Sequence, residues 1–325
     1  MSSLARPFLR LAILTALSWT AVAGADTPAP GFADPLLGRW DLTIDGPDGR
    51  YPSWLEIRLR TESQLMAEFV GRFGSKRHAA AVSYAGRQLE LRVPVQYEQG
   101  GEALVFTGTL AGGRLSGQLR IGAGERVAWS AAPAPPLYRA GTVTWGRPRA
   151  LIGDGLSGWS PRDGRHPGCW VVEAGVLRAT PPCVDLLSAA RYDDFRLRLE
   201  FRYPRGSNSG LYLRGRYEVQ IQDDRGKAPD PLRIGAIYGF IAPRVNAAGR
   251  AGEWQSLAVE LIGRRVTVSL NGVAVISHRE IPGITGGALD SDEGRPGPLM
   301  LQGDHGPIEF RNIVITPAGM RGDSR

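Results

Sequence analysis

Ser207-Asn208-Ser209-Gly210-Leu211-Tyr212-Leu213-Arg214-Gly215-Arg216-Tyr217-Glu218-Val219-Gln220-Ile221-Gln222-Asp223-Asp224 alternates apolar and polar side chains. Successive residues of a β-strand point to opposite faces. As a strand, the stretch sets Leu211, Leu213, Tyr217, Val219 and Ile221 on one side. Tyr212, Arg214, Arg216, Glu218, Gln220 and Gln222 fall on the other. The first face belongs to a core. The second carries amides, guanidinium groups, one carboxylate and a tyrosine but no lysine, a set suited to hydroxyl-rich ligands; a polar face kept only for solubility is the plainer alternative.

The flanking sequence has the same period. Phe195, Leu197, Leu199, Phe201 and Tyr203 alternate with Arg196, Arg198, Glu200 and Arg202, and Leu257, Val259 and Leu261 repeat the pattern. Arg265–Leu270 runs through Asn271-Gly272 into Val273–Ile276, and Asn-Gly between alternating segments predicts a hairpin. These pieces predict a two-sheet antiparallel sandwich. Upstream, Trp40–Ile44, Trp54–Leu59, Met66–Phe73, Leu89–Val93, Ala103–Leu110 and Arg114–Ile121 are short strands between glycine turns, the pattern of a small antiparallel barrel or sandwich. Trp40 and Trp54 are its expected core anchors. Ala131–Pro136 holds three prolines and is the expected connector. The predicted organisation is all-β: residues 1–25 a signal peptide, 36–132 a small β domain, 133–139 a linker, and 140–318 the sandwich. The 43 glycines and 24 prolines among 325 residues argue the same way, since neither suits a helix interior.

Arg6 and Arg10, the apolar run Leu11–Val22 and the small residues Ala21–Ala25 have the layout of a secretory signal. The run is shorter than a membrane span requires. A periplasmic or secreted location is expected. The net charge of +7 falls to +5 without Arg6 and Arg10, and the basic residues, with Lys76 and Lys227 the only lysines, are spread along strands instead of clustered. No nucleic-acid partner is expected. Cys169 and Cys183 flank the predicted hairpin Trp170–Pro182; a disulfide between them and two separate buried thiols both fit the sequence.

Several ordered motifs share one resemblance. They are Phe201-Arg202-Tyr203 with Gly206–Gly210, Tyr212–Gln220, Ile237-Tyr238-Gly239, Gly252-Glu253-Trp254-Gln255, and Gly297-Pro298 through Leu301–Gly306 to Phe310–Ile313. Over about residues 140–318 the chain resembles the 3-keto-disaccharide hydrolase family. The resemblance implies a concanavalin A-like jelly-roll sandwich and cleavage of a glycosidic bond in a sugar already oxidised at C3. The C3 carbonyl acidifies the C2 proton, so a base can form an enolate that expels the C1 substituent, after which water adds. For these roles the candidates are Glu218 as base, His305 as acid, and Arg214 and Arg216 as cations for the enolate. Gln220, Gln302, Tyr212 and Asn208 are the candidate sugar-binding residues. His305 as a mere turn residue is the alternative.

Retaining glucanases of this sandwich class set two carboxylates about 5–5.5 Å apart from a Glu-x-Asp-x-Glu strand. Here the strand reads Glu218-Val219-Gln220-Ile221-Gln222, with amides at the second and third positions. That disfavours ordinary two-carboxylate hydrolysis and leaves two readings, elimination through the ketone or a non-catalytic, lectin-like carbohydrate-binding module. No phosphate loop or dinucleotide fingerprint is found, and His78, His166, His278 and His305 have no zinc spacing. No cofactor or metal is expected. Asp290, Asp292 and Glu293 form a small acidic loop of the kind that can hold Ca²⁺, with a solvated turn the favoured reading. Trp159 and Trp254 are candidate sugar platforms or core residues, with core favoured for Trp254.

Overall fold

The computed structural model describes residues 34–98, 101–122, 124–139, 141–163 and 168–320. The expected signal peptide and His166 lie outside them. Among the described residues there is no helix long and apolar enough to cross a membrane. Pro35–Arg325 form one compact unit, all-β apart from a short 3-10 turn at Asp34–Leu36.

The first half is a single curled antiparallel sheet. Its strands run in the order Arg77–His78, Gln64–Val70, Gly49–Thr61, Gly38–Gly46, Glu125–Pro133, Arg114–Ile121, Leu104–Ala111, Gln88–Val93, Ala81–Ala85. The two edges meet where the chain passes from one to the other: the Ala79 amide donates to the Ala67 carbonyl and the Ala80 amide to that of Arg92. Closing the sheet removes the exposed edges that invite aggregation. Its interior is filled by Trp40, Leu42, Leu55, Phe69, Phe106 and Trp129 among others. The strand Glu125–Pro133 runs through the first half of the stretch expected to connect the two β regions, because Ala131 is a buried core residue.

The second half stacks two antiparallel sheets. One is ordered Trp170–Glu173, Val176–Ala179, Ile308–Met320, Phe195–Arg202, Gln255–Ile262, Arg265–Leu270, Val273–Glu280, with two short strands, Val143–Trp145 and Arg149–Ala150, also paired to Ile308–Met320. The other is ordered Trp159–Pro161, Leu186–Tyr192, Gly297–Leu301, Asn208–Leu213, Tyr217–Gln222. Phe195, Leu197, Leu199 and Phe201 from the first sheet share one core with Leu211, Leu213, Val219, Ile221, Leu299 and Leu301 from the second. Each such side chain contributes roughly 1.5–3 kcal/mol of burial. Asn271 and Gly272 take φ of 51° and 79° and turn the expected hairpin. Cys169 and Cys183 form a disulfide across the base of the Trp170–Ala179 hairpin. The fold is the all-β pair expected, a barrel followed by a jelly-roll sandwich.

Three local expectations change. The decisive stretch is a hairpin instead of one strand: Arg214 and Gly215 adopt φ of 54° and 68°, so the chain reverses between Leu213 and Tyr217. The strand expected over Met66–Phe73 ends at Val70, and the residues after it turn onto the sandwich, where the Gly287 amide donates to the Arg72 carbonyl at 2.8 Å. Trp54 anchors the sandwich core and not the interior of its own sheet, where its neighbour Leu55 points; its ring meets Phe240 edge-on at 5.1 Å. Beside it, Asp41 of the first half and Glu293 of the second share a buried site with Arg264. Burial first, then the charge of Glu293, pushes Asp41 up to about 9, so it stays protonated and hydrogen-bonded to the Glu293 carboxylate.

Candidate functional site

The hairpin keeps one polar face and loses two arginines from it. In the register Tyr212 pairs with Glu218, Gly210 with Gln220 and Asn208 with Gln222, so these polar side chains share a side. Gly210 makes room for the carboxylate: a Cβ there would lie 2.4 Å from Glu218 Oε1. The Gln220 amide lies 3.1 Å from the same oxygen and, on its far side, about the same distance from Asn208. The strand end is capped by the Tyr238 amide donating to the Glu218 carbonyl and by the Glu218 amide donating to Thr285 Oγ1.

Arg214 and Arg216 sit in the turn and point away from Glu218. Arg214 is fully buried, with Nε on the Asp193 carbonyl at 2.7 Å and Nη2 on Asp194 Oδ1 at 2.9 Å and on the Gly263 carbonyl at 2.8 Å. Arg216, also fully buried, is held by Asp290 and the Arg295 carbonyl. The expected enolate role therefore fails for both on geometry, because the turn that reverses the chain carries them into an acidic knot. The acidic loop is that knot's other half: Asp290 pairs with Arg216, Asp292 with Arg295 and Glu293 with Arg264. Only Asp292, paired with the exposed Arg295, keeps the solvated character expected of the turn; Glu293 is fully buried. Trp254 is also outside the core, half-buried between the guanidinium groups of Arg202 and Arg311 at 4.7 and 4.1 Å, whereas Trp159 is core and donates to the Leu151 carbonyl.

Glu218 is 4% exposed. Burial first pushes its carboxyl up to about 8; the Tyr212 hydroxyl and the charge of His305 pull against this, and Asp185 and Asp304 add to it. The Tyr212 hydroxyl lies 3.0 Å from Glu218 Oε2 and 3.0 Å from the Gly286 carbonyl. A hydroxyl has one proton, and a carbonyl can only accept. A protonated Glu218 satisfies all three groups at once, donating to Tyr212 while Tyr212 donates to Gly286. The neutral acid thus fits both the burial and the hydrogen bonds.

His305 lies on the loop after Gly297–Leu301, half exposed, with Nδ1 hydrogen-bonded to Asp304. That bond, opposed by partial burial, raises the imidazole above its ordinary value, and the charges of Glu218 and Asp185 act in the same direction. The structure therefore brings His305 into electrostatic reach of Glu218. Gln302, 8% exposed, has an Oε1 atom without a hydrogen-bond partner among the described residues. Three residues join the group that were not among the candidate site residues. Asp185 binds Arg162 Nη1 at 3.0 Å and the Gly303 amide at 3.2 Å; Arg162 also reaches the Gly287 carbonyl. Tyr238, half-buried, is pushed up to about 12 by burial, with the charges of Tyr97 and Glu218 adding. No spacing rule could have found Arg162 or Asp185, because they flank two separate strands, Trp159–Pro161 and Leu186–Tyr192, that pair in the fold.

A neutral carboxyl, an imidazole oriented by a carboxylate, and a partly exposed guanidinium can together donate a proton, accept one and stabilise an oxyanion. Among known structures the chain is similar to two glycosyl-hydrolase candidates from Parabacteroides distasonis ATCC 8503. One is 26% identical, with a TM-score of 0.45, covering 55% of this chain and 92% of that one. The other is 27% identical, with a TM-score of 0.43, covering 52% and 98%. No curated protein matches the chain. The family model described as a 3-keto-alpha-glucoside-1,2-lyase-like domain matches residues 148–316, which hold the whole site around Glu218 and His305, and the chain belongs to that 3-keto-disaccharide hydrolase family.

Proposed function

We propose that the protein cleaves 3-keto-glycosides by taking the proton from C2, expelling the C1 substituent and adding water to the resulting enone. The balance is one glycoside plus one water giving a 3-keto sugar and an alcohol. The observation that carries the reading is the pairing of a carboxyl held protonated near neutrality with an Asp304-oriented imidazole in the family's matched region.

The same observation exchanges the two roles expected from sequence. With Nδ1 bound to Asp304, His305 would take the C2 proton at Nε2, as in other carboxylate-oriented histidine bases. Glu218, neutral up to about pH 8, is the acid that protonates the departing oxygen. Arg162, held by Asp185 and partly exposed, takes the place of Arg214 and Arg216 as the cation proposed for the developing enolate. Asn208, Gln220 and Gln302 are the hydrogen-bonding groups for sugar hydroxyls.

The test is sugar release from a 3-keto-disaccharide and from the same disaccharide unoxidised. Release from the oxidised sugar alone supports the proposal; binding of both without release supports the carbohydrate-binding module instead. kcat/KM should fall below the pKa of His305 and again above about pH 8 as Glu218 ionises. In Asp304→Asn the group that raises His305 is withdrawn, so the acid limb of the pH profile should move to lower pH. An unmoved limb would remove His305 from the reaction. We also propose that the protein is exported, on the layout of residues 1–25 and on the Cys169–Cys183 disulfide, which persists in oxidising compartments.

A further inference from the structure

The barrel reaches the sandwich next to this site through a braced pair of loops. Residues 71–76 and 94–98 are tied together where the Ser75 amide donates to Gln96 Oε1 at 3.1 Å and Gln96 Nε2 donates to Ser75 Oγ at 3.0 Å. Glu98 fixes the second loop, accepting from Arg77 and from the Gln96 and Tyr97 amides. The ring of Tyr97 lies against Gly74, where a Cβ would come within 2.7 Å of it. The pair packs onto the sandwich at glycines that leave no room for a side chain: a Cβ on Gly239 would lie 2.9 Å from the Lys76 amide nitrogen, and one on Gly286 2.3 Å from the Gly74 carbonyl.

Both contact points belong to the site. Gly286 accepts the Tyr212 hydrogen bond, and Tyr238, next to Gly239, caps the Glu218 strand and lies within electrostatic reach of Tyr97. Despite this bracing, Tyr97 and Phe73 stay 65% and 54% exposed. A large aromatic on a hydrogen-bonded loop, left wet beside a polar site, is a stacking surface for the apolar face of a sugar ring. Solvation alone gives no reason to brace it.

We propose that Tyr97, together with Tyr238 and Phe73, forms the wall that receives the leaving sugar of the glycoside, so that the barrel sets how large a leaving group the sandwich accepts. This rests on the proposed reaction for its substrate. It concerns a separate part of the molecule.

The test compares full-length protein with Tyr97→Ala, Tyr97→Phe and Phe73→Ala on a 3-keto-disaccharide and on methyl 3-keto-glucoside, whose leaving group is too small to stack. Tyr97→Ala is expected to lower the preference for the disaccharide about tenfold, through KM and not kcat, with Phe73→Ala acting in the same direction. Tyr97→Phe keeps the ring and should retain most of the preference. Equal losses on both substrates, or no loss on either, would overturn the proposal. Calorimetric binding of the unoxidised disaccharide and of methyl glucoside gives the same comparison without turnover. A protein that binds but never cleaves would defeat the reaction while leaving the wall to be judged on binding alone.

Discussion

Glu218→Gln is expected to lower kcat/KM on a 3-keto-disaccharide by about 10²–10⁴-fold, the range over which a general acid contributes. On a 3-keto-glucoside with a nitrophenol leaving group, which departs without a proton, the loss should shrink to about tenfold. The alkaline limb of the pH profile should vanish with the carboxyl. The same variant should be harder to unfold than the wild type at pH 8. An unfolded glutamate loses its proton near 4.5, while the folded Glu218 keeps it to about 8. Across that window the unfolded chain holds fewer protons, so raising the pH drains stability from the wild type. Glutamine has no proton to lose there, and the gain at pH 8 is on the order of a few kcal/mol. Equal losses on both leaving groups would reject the acid role.

Arg214→Met is expected to do the reverse, costing about 3–5 kcal/mol of stability while the folded fraction loses far less activity than Glu218→Gln does. Arg214 is fully buried, and its removal strips donors from the Asp193 and Gly263 carbonyls and a counter-charge from Asp194. Gly263 is part of the same arrangement: its amide donates to Asp194 at 2.7 Å, its φ is 58°, and a Cβ would run into the Leu137 carbonyl. Chemical denaturation at pH 7 measures the loss. A stable but inactive Arg214→Met protein would return the residue to the reaction.

The alternation of apolar residues carried most of the fold into view, because a half-buried strand obeys a period of two whatever its neighbours. Phe195–Arg202 and Arg265–Ile276 were legible in this way, the latter down to its Asn-Gly turn. The Leu213–Tyr217 reversal was not. An Arg-Gly pair carries no strong turn preference, and a strand and a hairpin place Leu211, Val219 and Ile221 on the same side. Reading through the turn kept Glu218, Gln220, Tyr212 and Asn208 on one face correctly and wrongly added Arg214 and Arg216. The protonation of Glu218 was invisible for another reason: it depends on burial and on the Gly286 carbonyl, neither of which leaves a mark in the local sequence. Arg162 and Asp185 stand 56 and 33 residues before Glu218 in the chain, and only the pairing of Trp159–Pro161 with Leu186–Tyr192 brings them together.

Abstraction at C2 separates the proposed chemistry from every direct displacement at C1. Turnover of a 3-keto-disaccharide in D₂O, corrected for exchange without enzyme, should give a 3-keto sugar bearing one deuterium at C2, and His305→Gln should stop both the labelling and the cleavage. Cleavage that leaves the original hydrogen on C2 would contradict it.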